Sequence, residues 1–248
     1  MKRIFTTFKE KWPEYLLEIL VLIIGIYGAF ALESWNEERN YRIQEQLLLH
    51  DLRQEFEDTR HNLITTMRKQ EQVGPHVSKL LEVYYSQGHG FDPTTDSLGI
   101  LIGKGAMDFH RIEPVLGTYE SIIGSGSINV IRDHDLRNKM ANFYTEVKEG
   151  FEDHDLSMLI IAEISQRANP CYTSEFRLEN KFGVDLSDNR KSLEQLRKDN
   201  FPKFLNDDAF FSLVLAQANI SKNRLDWQDA VLLRVEEILE LIDKNLAK

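Results

Sequence analysis

The pattern of hydrophobic and polar positions divides the chain close to Trp35. Residues 15–32 read YLLEILVLIIGIYGAFAL, a stretch with one charge, Glu18, and without the one-sided stripe of an amphipathic helix. Trp12 and Trp35 bracket this stretch. At about 1.5 Å per residue they stand roughly 34 Å apart, close to the thickness of a bilayer core with its interfaces. The pattern predicts a transmembrane helix over residues 13–35, with one tryptophan in each membrane interface.

The helical pattern continues beyond the apolar stretch. Apolar positions recur there at spacings of four or five, with one longer gap, and no glycine or proline intervenes before Gly74-Pro75. These positions are Ile43, Leu47, Leu52, Phe56, Leu63 and Met67. We therefore expect one helix of about sixty residues that begins at Pro13 and ends at a turn at Gly74-Pro75. Its outer half should pack against the domain that follows.

The middle of the chain predicts short helices separated by glycine-rich turns. Residues 76–87 form one helical segment, and residues 98–109, with three glycines, fit either a short helix or a pair of strands. Another helix should end at Gly124-Ser125-Gly126, where glycine suits the turn. Asp133 is then the predicted N-cap of a helix that runs to about Ala168.

The last part of the chain predicts an irregular region followed by a long helix. Residues 169–206 are polar, with one short helix near residues 192–199, and the final helix begins at Asp207 or Asp208. Its predicted buried face contains Leu225, Gln228, Leu232, Val235, Leu239, Ile242 and Leu246. Because strands and helices do not alternate, the expected fold is all-α, an N-terminal transmembrane helix that continues into a helical bundle.

The charge distribution indicates an orientation in the membrane. The chain has a net charge of -10, yet Lys2, Arg3, Lys9 and Lys11 precede the apolar segment against one acid, Glu10. By the positive-inside rule, residues 1–12 are expected in the cytoplasm and residues 36–248 outside it, in a domain facing the periplasm. The acidic domain carries no basic stripe, so nucleic acid is not an expected partner.

The alternative to a retained anchor is a cleaved signal peptide. Ala29-Phe30-Ala31 has the small-x-small form of a cleavage site. The acids Glu10, Glu14 and Glu18, and a helical pattern that continues through Trp35, favour retention instead.

Glu18 raises a separate question within the apolar stretch. At about 100° per residue, Glu18, Gly25 and Ala29 share one helix face, so a carboxylate and two small residues are suited to contact another transmembrane helix. The alternative is an interfacial role, because Glu18 lies only about 9 Å from Trp12 along the axis and can reach the headgroups.

Motifs for chemistry are weak throughout the sequence. Cys171 is the one cysteine, which excludes an intramolecular disulfide and a thiolate metal cluster. Glu57, Asp58 and His61 have helical spacing for a metal, but a di-iron bundle requires a second such pair. Ser125 lies in a glycine turn without the GxSxG context of a nucleophile. We expect no catalytic, metal or cofactor site.

Two segments resemble a known family. Residues 18–39 lead an apolar helix into Trp35-Asn36-Glu37, and residues 118–144 carry Tyr119 into the turn at Ser125-Gly126. Both are similar to a family of uncharacterised single-pass proteins of Gram-negative bacteria, catalogued as a domain of unknown function. The resemblance implies an anchored helical domain in the inner membrane and carries over no active-site residues.

Three functions remain open from the sequence. The first is a structural or interaction module, an accessory subunit or scaffold whose partners are the lipid bilayer and membrane or envelope proteins, including further copies of itself. The second is a sensory domain that binds a small ligand and acts through a partner. The third is an enzyme with no recognisable motif, which would require a polar constellation that the sequence does not display.

Overall fold

The computed structural model describes residues 2–112, 114–150, 152–168 and 182–247, and in these ranges every regular element is helical. The prediction of an all-α fold is confirmed. The helices are α1 (Lys2–Glu71), α2 (Val73–Tyr85), α3 (Ser97–Leu101), α4 (Gly117–Ser125), α5 (His134–Glu149), α6 (Glu152–Arg167), α7 (Arg190–Leu205) and α8 (Asp208–Leu246). A π-helical turn, Ile102–Ala106, extends α3, and a 3-10 turn, Ser127–Val130, follows α4.

Three helix ends follow the local chemistry of the sequence. Gly126 ends α4 in the left-handed conformation, with φ of 73°, which glycine adopts without steric cost. The Asp133 carboxylate accepts a hydrogen bond from the Leu136 N–H at 3.1 Å and begins α5. Asp207 does the same for Phe210 at 3.0 Å and begins α8. These predicted boundaries are confirmed.

The first helix differs from its prediction at both ends. It begins at Lys2, so Pro13 lies inside the helix and is not its first residue. Its end is an interruption at Gln72, whose backbone keeps the right-handed helical conformation. Gly74 and Pro75 fall in the first turn of α2, where proline loses no hydrogen bond because the first N–H groups of a helix have no partner within it.

Other boundaries also differ. Of residues 98–109, residues 98–106 are helical, as the end of α3 and the π-helical turn, and residues 107–109 follow as a turn and irregular chain without a strand. The helix that starts after Asp133 ends at Glu149, and the chain resumes as α6 at Glu152. Gly150, between them, lies against the indole of Trp227 at a separation too short for any side chain. The short helix near residues 192–199 extends to sixteen residues as α7, while the predicted stop at Asn169-Pro170 lies outside the described residues.

The helices enclose two hydrophobic cores. The proximal core, nearer the apolar segment, joins α1, α4, α5 and the C-terminal half of α8, with Phe56, Phe143 and Val235 at its centre. The distal core joins α2, α3, α7 and the start of α8, with Leu80, Phe204 and Phe210. Since α8 contributes to both cores, it ties the domain together along its length.

The buried face of α1 is shifted from the predicted one. Leu52, Phe56 and Leu63 are buried as expected and Leu49 joins them, whereas Ile43 and Leu47 are 49% and 62% exposed. On α8, Gln228, Val235, Leu239 and Ile242 are buried as predicted. The predicted residues Leu225, Leu232 and Leu246 are only half-buried, and Val231 and Ile238 complete that face.

Candidate functional site

The apolar segment of α1 is uncovered by the rest of the protein. Every side chain from Leu16 to Gln44 is exposed. Among the described residues, α1 is the one helix that is both long enough and apolar enough to cross a membrane. Burying a leucine or isoleucine side chain is worth roughly 2 kcal/mol, so this row of side chains is strongly unfavourable in water. Exposure of a continuous apolar helix on this scale indicates a bilayer or protein environment.

The sequence-predicted residues of this segment are all accessible. Trp12 and Trp35 are 55% and 64% exposed. Glu18, Gly25 and Ala29 are exposed as well, and a side chain added at Gly25 would meet no atom within 4 Å. Helix geometry places these three on one face, but no described residue of the protein contacts that face.

A set of polar contacts, here called the clamp, joins the turn before α5 to the part of α1 just beyond Trp35. The Arg132 side chain donates to Glu38 at 2.6 Å, and its backbone N–H donates to Glu45 at 2.7 Å. Arg42 also donates to Glu38, at 3.3 Å along the same helix. The Arg132 guanidinium holds the pKa of the Glu38 carboxyl below its ordinary value, and the same contact raises the pKa of Arg132.

The C-terminal end of α8 strengthens this junction. The Asn245 side-chain amide donates to Asp133 at 2.8 Å, and the Asn245 backbone carbonyl accepts from the Gln46 side chain at 3.3 Å. Arg53 pairs with Asp243 at 2.7 Å. An open cleft of about 590 Å³ lies beside these contacts, lined by Arg42, Glu45, Gln46, Arg132, Asp133, Asn245 and Leu246. The cleft therefore carries both signs of charge.

A buried polar seam separates the two cores. On α8 the buried positions between the cores are Gln217, Ser221, Arg224 and Gln228, spaced at three and four residues. The Arg224 guanidinium lies 3.8 Å from the centre of the Phe109 ring and donates to Ser157 at 3.3 Å. In the described part of the chain, the amides of Gln217 and Gln228 have no hydrogen-bond partner.

The clamp was missing from the sequence-based expectations, and of the seam only Gln228 was predicted to lie on a buried face. The clamp joins residues about ninety positions apart, and no local signal announces such a contact. The seam had a readable signal, because four polar residues occur at helical spacing on the face of α8 that is otherwise apolar.

The candidates for chemistry have ordinary structural roles. Glu57 forms ion pairs with Arg60 at 2.7 Å and Arg53 at 3.7 Å. Asp58 accepts from Gln54 on the exposed side of α1, and Ser125 donates within its own turn. Among the described residues, no group of three or more histidine, cysteine or acidic side chains is arranged to hold a metal ion.

Comparison with known proteins returns no relative. No family model matches the chain, and neither the curated proteins nor the solved structures contain a significant match. The resemblance to a family of single-pass proteins stays a prediction.

Proposed function

We propose that this protein is a membrane-tethered structural or interaction module, an accessory subunit or scaffold of the cell envelope. The observation that carries the proposal is the exposure of every side chain of α1 from Leu16 to Gln44, next to a domain that has two hydrophobic cores of its own. Such a segment finds a stable environment in a bilayer.

Because α1 is continuous, it supports a rigid connection between the apolar segment and the domain and not an anchor attached by a flexible linker. The same helix that carries the apolar segment supplies Leu52, Phe56 and Leu63 to the proximal core. The clamp formed by Arg132 with Glu38 and Glu45 lies between these two parts. A force or displacement on the segment is therefore passed to the domain without a flexible linker.

The proposed location is the inner membrane, with residues 1–12 in the cytoplasm and the domain in the periplasm. Lys2, Arg3, Lys9 and Lys11 support this orientation through the positive-inside rule. We propose partners among membrane or envelope proteins and a role without catalysis, because the residues considered for chemistry serve ion pairs and turns.

Two measurements on the full-length protein test the proposal. The protein should stay in the membrane pellet after extraction at alkaline pH, since an integral helix resists this treatment. An impermeant thiol reagent should label a cysteine introduced at Lys244 in intact spheroplasts, in a background where Cys171 is replaced by serine. Release into the supernatant would overturn the tether, and labelling only after lysis would overturn the orientation.

A sensory role is the second candidate, favoured by the polar seam. Buried amides at Gln217 and Gln228 without protein partners in the described part of the chain can hydrogen-bond to a small polar ligand. A panel of amino acids, sugars and carboxylates would be tested for a rise in melting temperature. A ligand of the seam should lose its effect in Gln217→Leu, whereas a shift that persists in this variant would exclude the seam.

A further inference from the structure

Two large aliphatic side chains remain exposed on α1 beyond the apolar segment. Ile43 and Leu47, four residues apart, are 49% and 62% exposed. At about 1.5 Å per residue they lie about 12 Å and 18 Å beyond Trp35. The headgroup region adds only about 5–8 Å on each side of the hydrocarbon core, so lipid tails cannot cover these side chains.

The protein's own domain does not cover them either. The domain packs on the side of α1 that carries Leu52, Phe56 and Leu63. At about 100° per residue, Ile43 points about 180° away from Leu52. The exposed pair therefore faces away from its own domain, where another molecule can approach.

The same face continues into the apolar segment. Between Gly25 and Leu47, an arc of about 80° contains seven residues and no charge. These residues are Gly25, Ala29, Leu32, Asn36, Asn40, Ile43 and Leu47, all exposed. The face is about 33 Å long, and it begins among apolar residues and ends in water.

We propose that this face of α1 pairs with the same face of a second copy of the chain, in parallel. The inference rests on the proposed membrane insertion, which orients all copies alike and sets identical residues at the same depth. Self-pairing then places Gly25 and Ala29 where two backbones can approach closely. Ile43 and Leu47 cover their counterparts, which removes apolar surface from water.

Asn36 supports a second copy over an unrelated helix. It lies on the proposed face between Leu32 and Ile43, and it is exposed. An asparagine that meets its counterpart across a parallel helix pair can hydrogen-bond to it, and such a pair specifies register and a two-stranded state. The arc itself carries no charged side chain between Gly25 and Leu47. Glu18 lies on the same face nearer the N-terminus, and Glu33 and Arg39 lie about 20° outside the two edges of the arc.

Cysteine crosslinking in native membranes tests the pairing. In a Cys171→Ser background, single cysteines would replace Ile43, Leu47 and Tyr41, and the membranes would be oxidised. Tyr41 is the matched control, because it is 54% exposed but points about 160° away from Ile43. We expect a disulfide-linked dimer at positions 43 and 47, with at least tenfold less at position 41.

A substitution tests whether the apolar contact stabilises the pair. Leu47→Asn should lower the crosslinked fraction through a cysteine at position 43 several-fold. Leu233→Asn is the control, since Leu233 is 63% exposed on α8, outside the proposed face. Equal effects of the two variants would overturn the proposal.

The outcomes separate this inference from the membrane tether. If the protein leaves the membrane pellet, the tether fails and the pairing fails with it. If it stays in the pellet but crosslinks equally at positions 41, 43 and 47, or not at all, only the pairing is overturned. Crosslinks from positions 43 and 47 to a band of a different protein would also overturn pairing with a second copy.

Discussion

A buried carboxylate on α1 holds the start of α4 in place. Glu55 is 5% exposed, and its two oxygens accept hydrogen bonds from the backbone N–H groups of Thr118 and Tyr119. These N–H groups lie in the first turn of α4, where a helix has donors without partners and a positive dipole end. Glu55 therefore caps a helix that is more than sixty residues away in the sequence.

Removal of this cap should destabilise the domain. We expect Glu55→Ala to lower the free energy of unfolding by about 2 kcal/mol, because two N–H groups lose a charged acceptor. Urea unfolding in detergent, followed by circular dichroism, measures the change. Glu57→Ala is the control, since its partly exposed ion pairs contribute less than about 1 kcal/mol. Equal losses in the two variants would contradict the capping role.

A substitution in the buried polar seam should stabilise the domain, in contrast to the removal of the Glu55 cap. Gln228 is fully buried, and its amide has no hydrogen-bond partner in the described part of the chain. Gln228→Met keeps the length of the side chain and removes the desolvated amide, so we expect stability to rise by about 1 kcal/mol. Gln166→Met, at an exposed position on α6, should have no effect. A loss of stability in Gln228→Met would show that the amide is bonded in solution.

At the scale of the elements, the sequence predicted those features that depend on neighbouring residues. Three helix ends were predictable because each depends on contacts within four residues of the chain. They are the end of α4 at Gly126 and the N-caps at Asp133 and Asp207. The division between α5 and α6 was not predicted, although Gly150 lies at that point, and the contact of Gly150 with Trp227 joins positions far apart in the chain.

The buried face of α1 shows the same limit. The spacing of apolar residues along α1 is compatible with Ile43 and Leu47 on the buried side. In the structure, α8 packs against a face of α1 that contains Leu49 and Leu52 instead. Periodicity indicates that a helix has a buried side, but which residues form that side depends on the helix that packs against it. The exposed apolar segment was predictable, since it depends on composition over a local stretch, and the seam had a signal in the polar residues of α8, whereas the clamp required the tertiary arrangement.

Bulky substitutions within the apolar segment of α1 should weaken association selectively. Isoleucine at Gly25 or Ala29 would separate two helices that approach through this face. Ala31→Ile adds similar hydrophobicity about 160° away from Ala29, so it should leave association intact. The dimer fraction after crosslinking in membranes measures the effect. Equal behaviour of the three variants would leave Glu18 as an interfacial residue and exclude the packing face.

At the scale of the whole molecule, the clamp joins α1 just beyond the apolar segment to the rest of the domain. Arg132 holds Glu38 and Glu45 from outside α1, while Asn245 and Asp133 connect the end of α8 to the start of α5. Three separate parts of the chain thus meet at one level of α1. A bend of α1 beyond Trp35 would have to break these contacts, so the segment and the domain should move as one body.

The clamp should be independent of pH above the ordinary glutamate range and should depend on Arg132. Because Arg132 lowers the pKa of Glu38, the contribution of this pair is complete above the ordinary glutamate range, about 4.3, and is lost as the pH falls through the lower pKa of the folded state. Spin labels at Gln44 and Asn129, which are both exposed and outside the proposed pairing face, in a Cys171→Ser background, would report the distance between α1 and the turn before Arg132. We expect the same narrow distance distribution at pH 7.5 and pH 5.5.

Arg132→Gln should broaden that distribution at both pH values, since the neutral side chain loses its charged contacts with Glu38 and Glu45. Arg42→Gln is the matched control, because Arg42 pairs with Glu38 four residues away on the same helix, so this ion pair does not join α1 to another element. It should leave the distance unchanged. If Arg132→Gln also leaves the distance unchanged, the packing of Leu49 and Leu52 is sufficient to fix α1, and the clamp adds no rigidity between the segment and the domain.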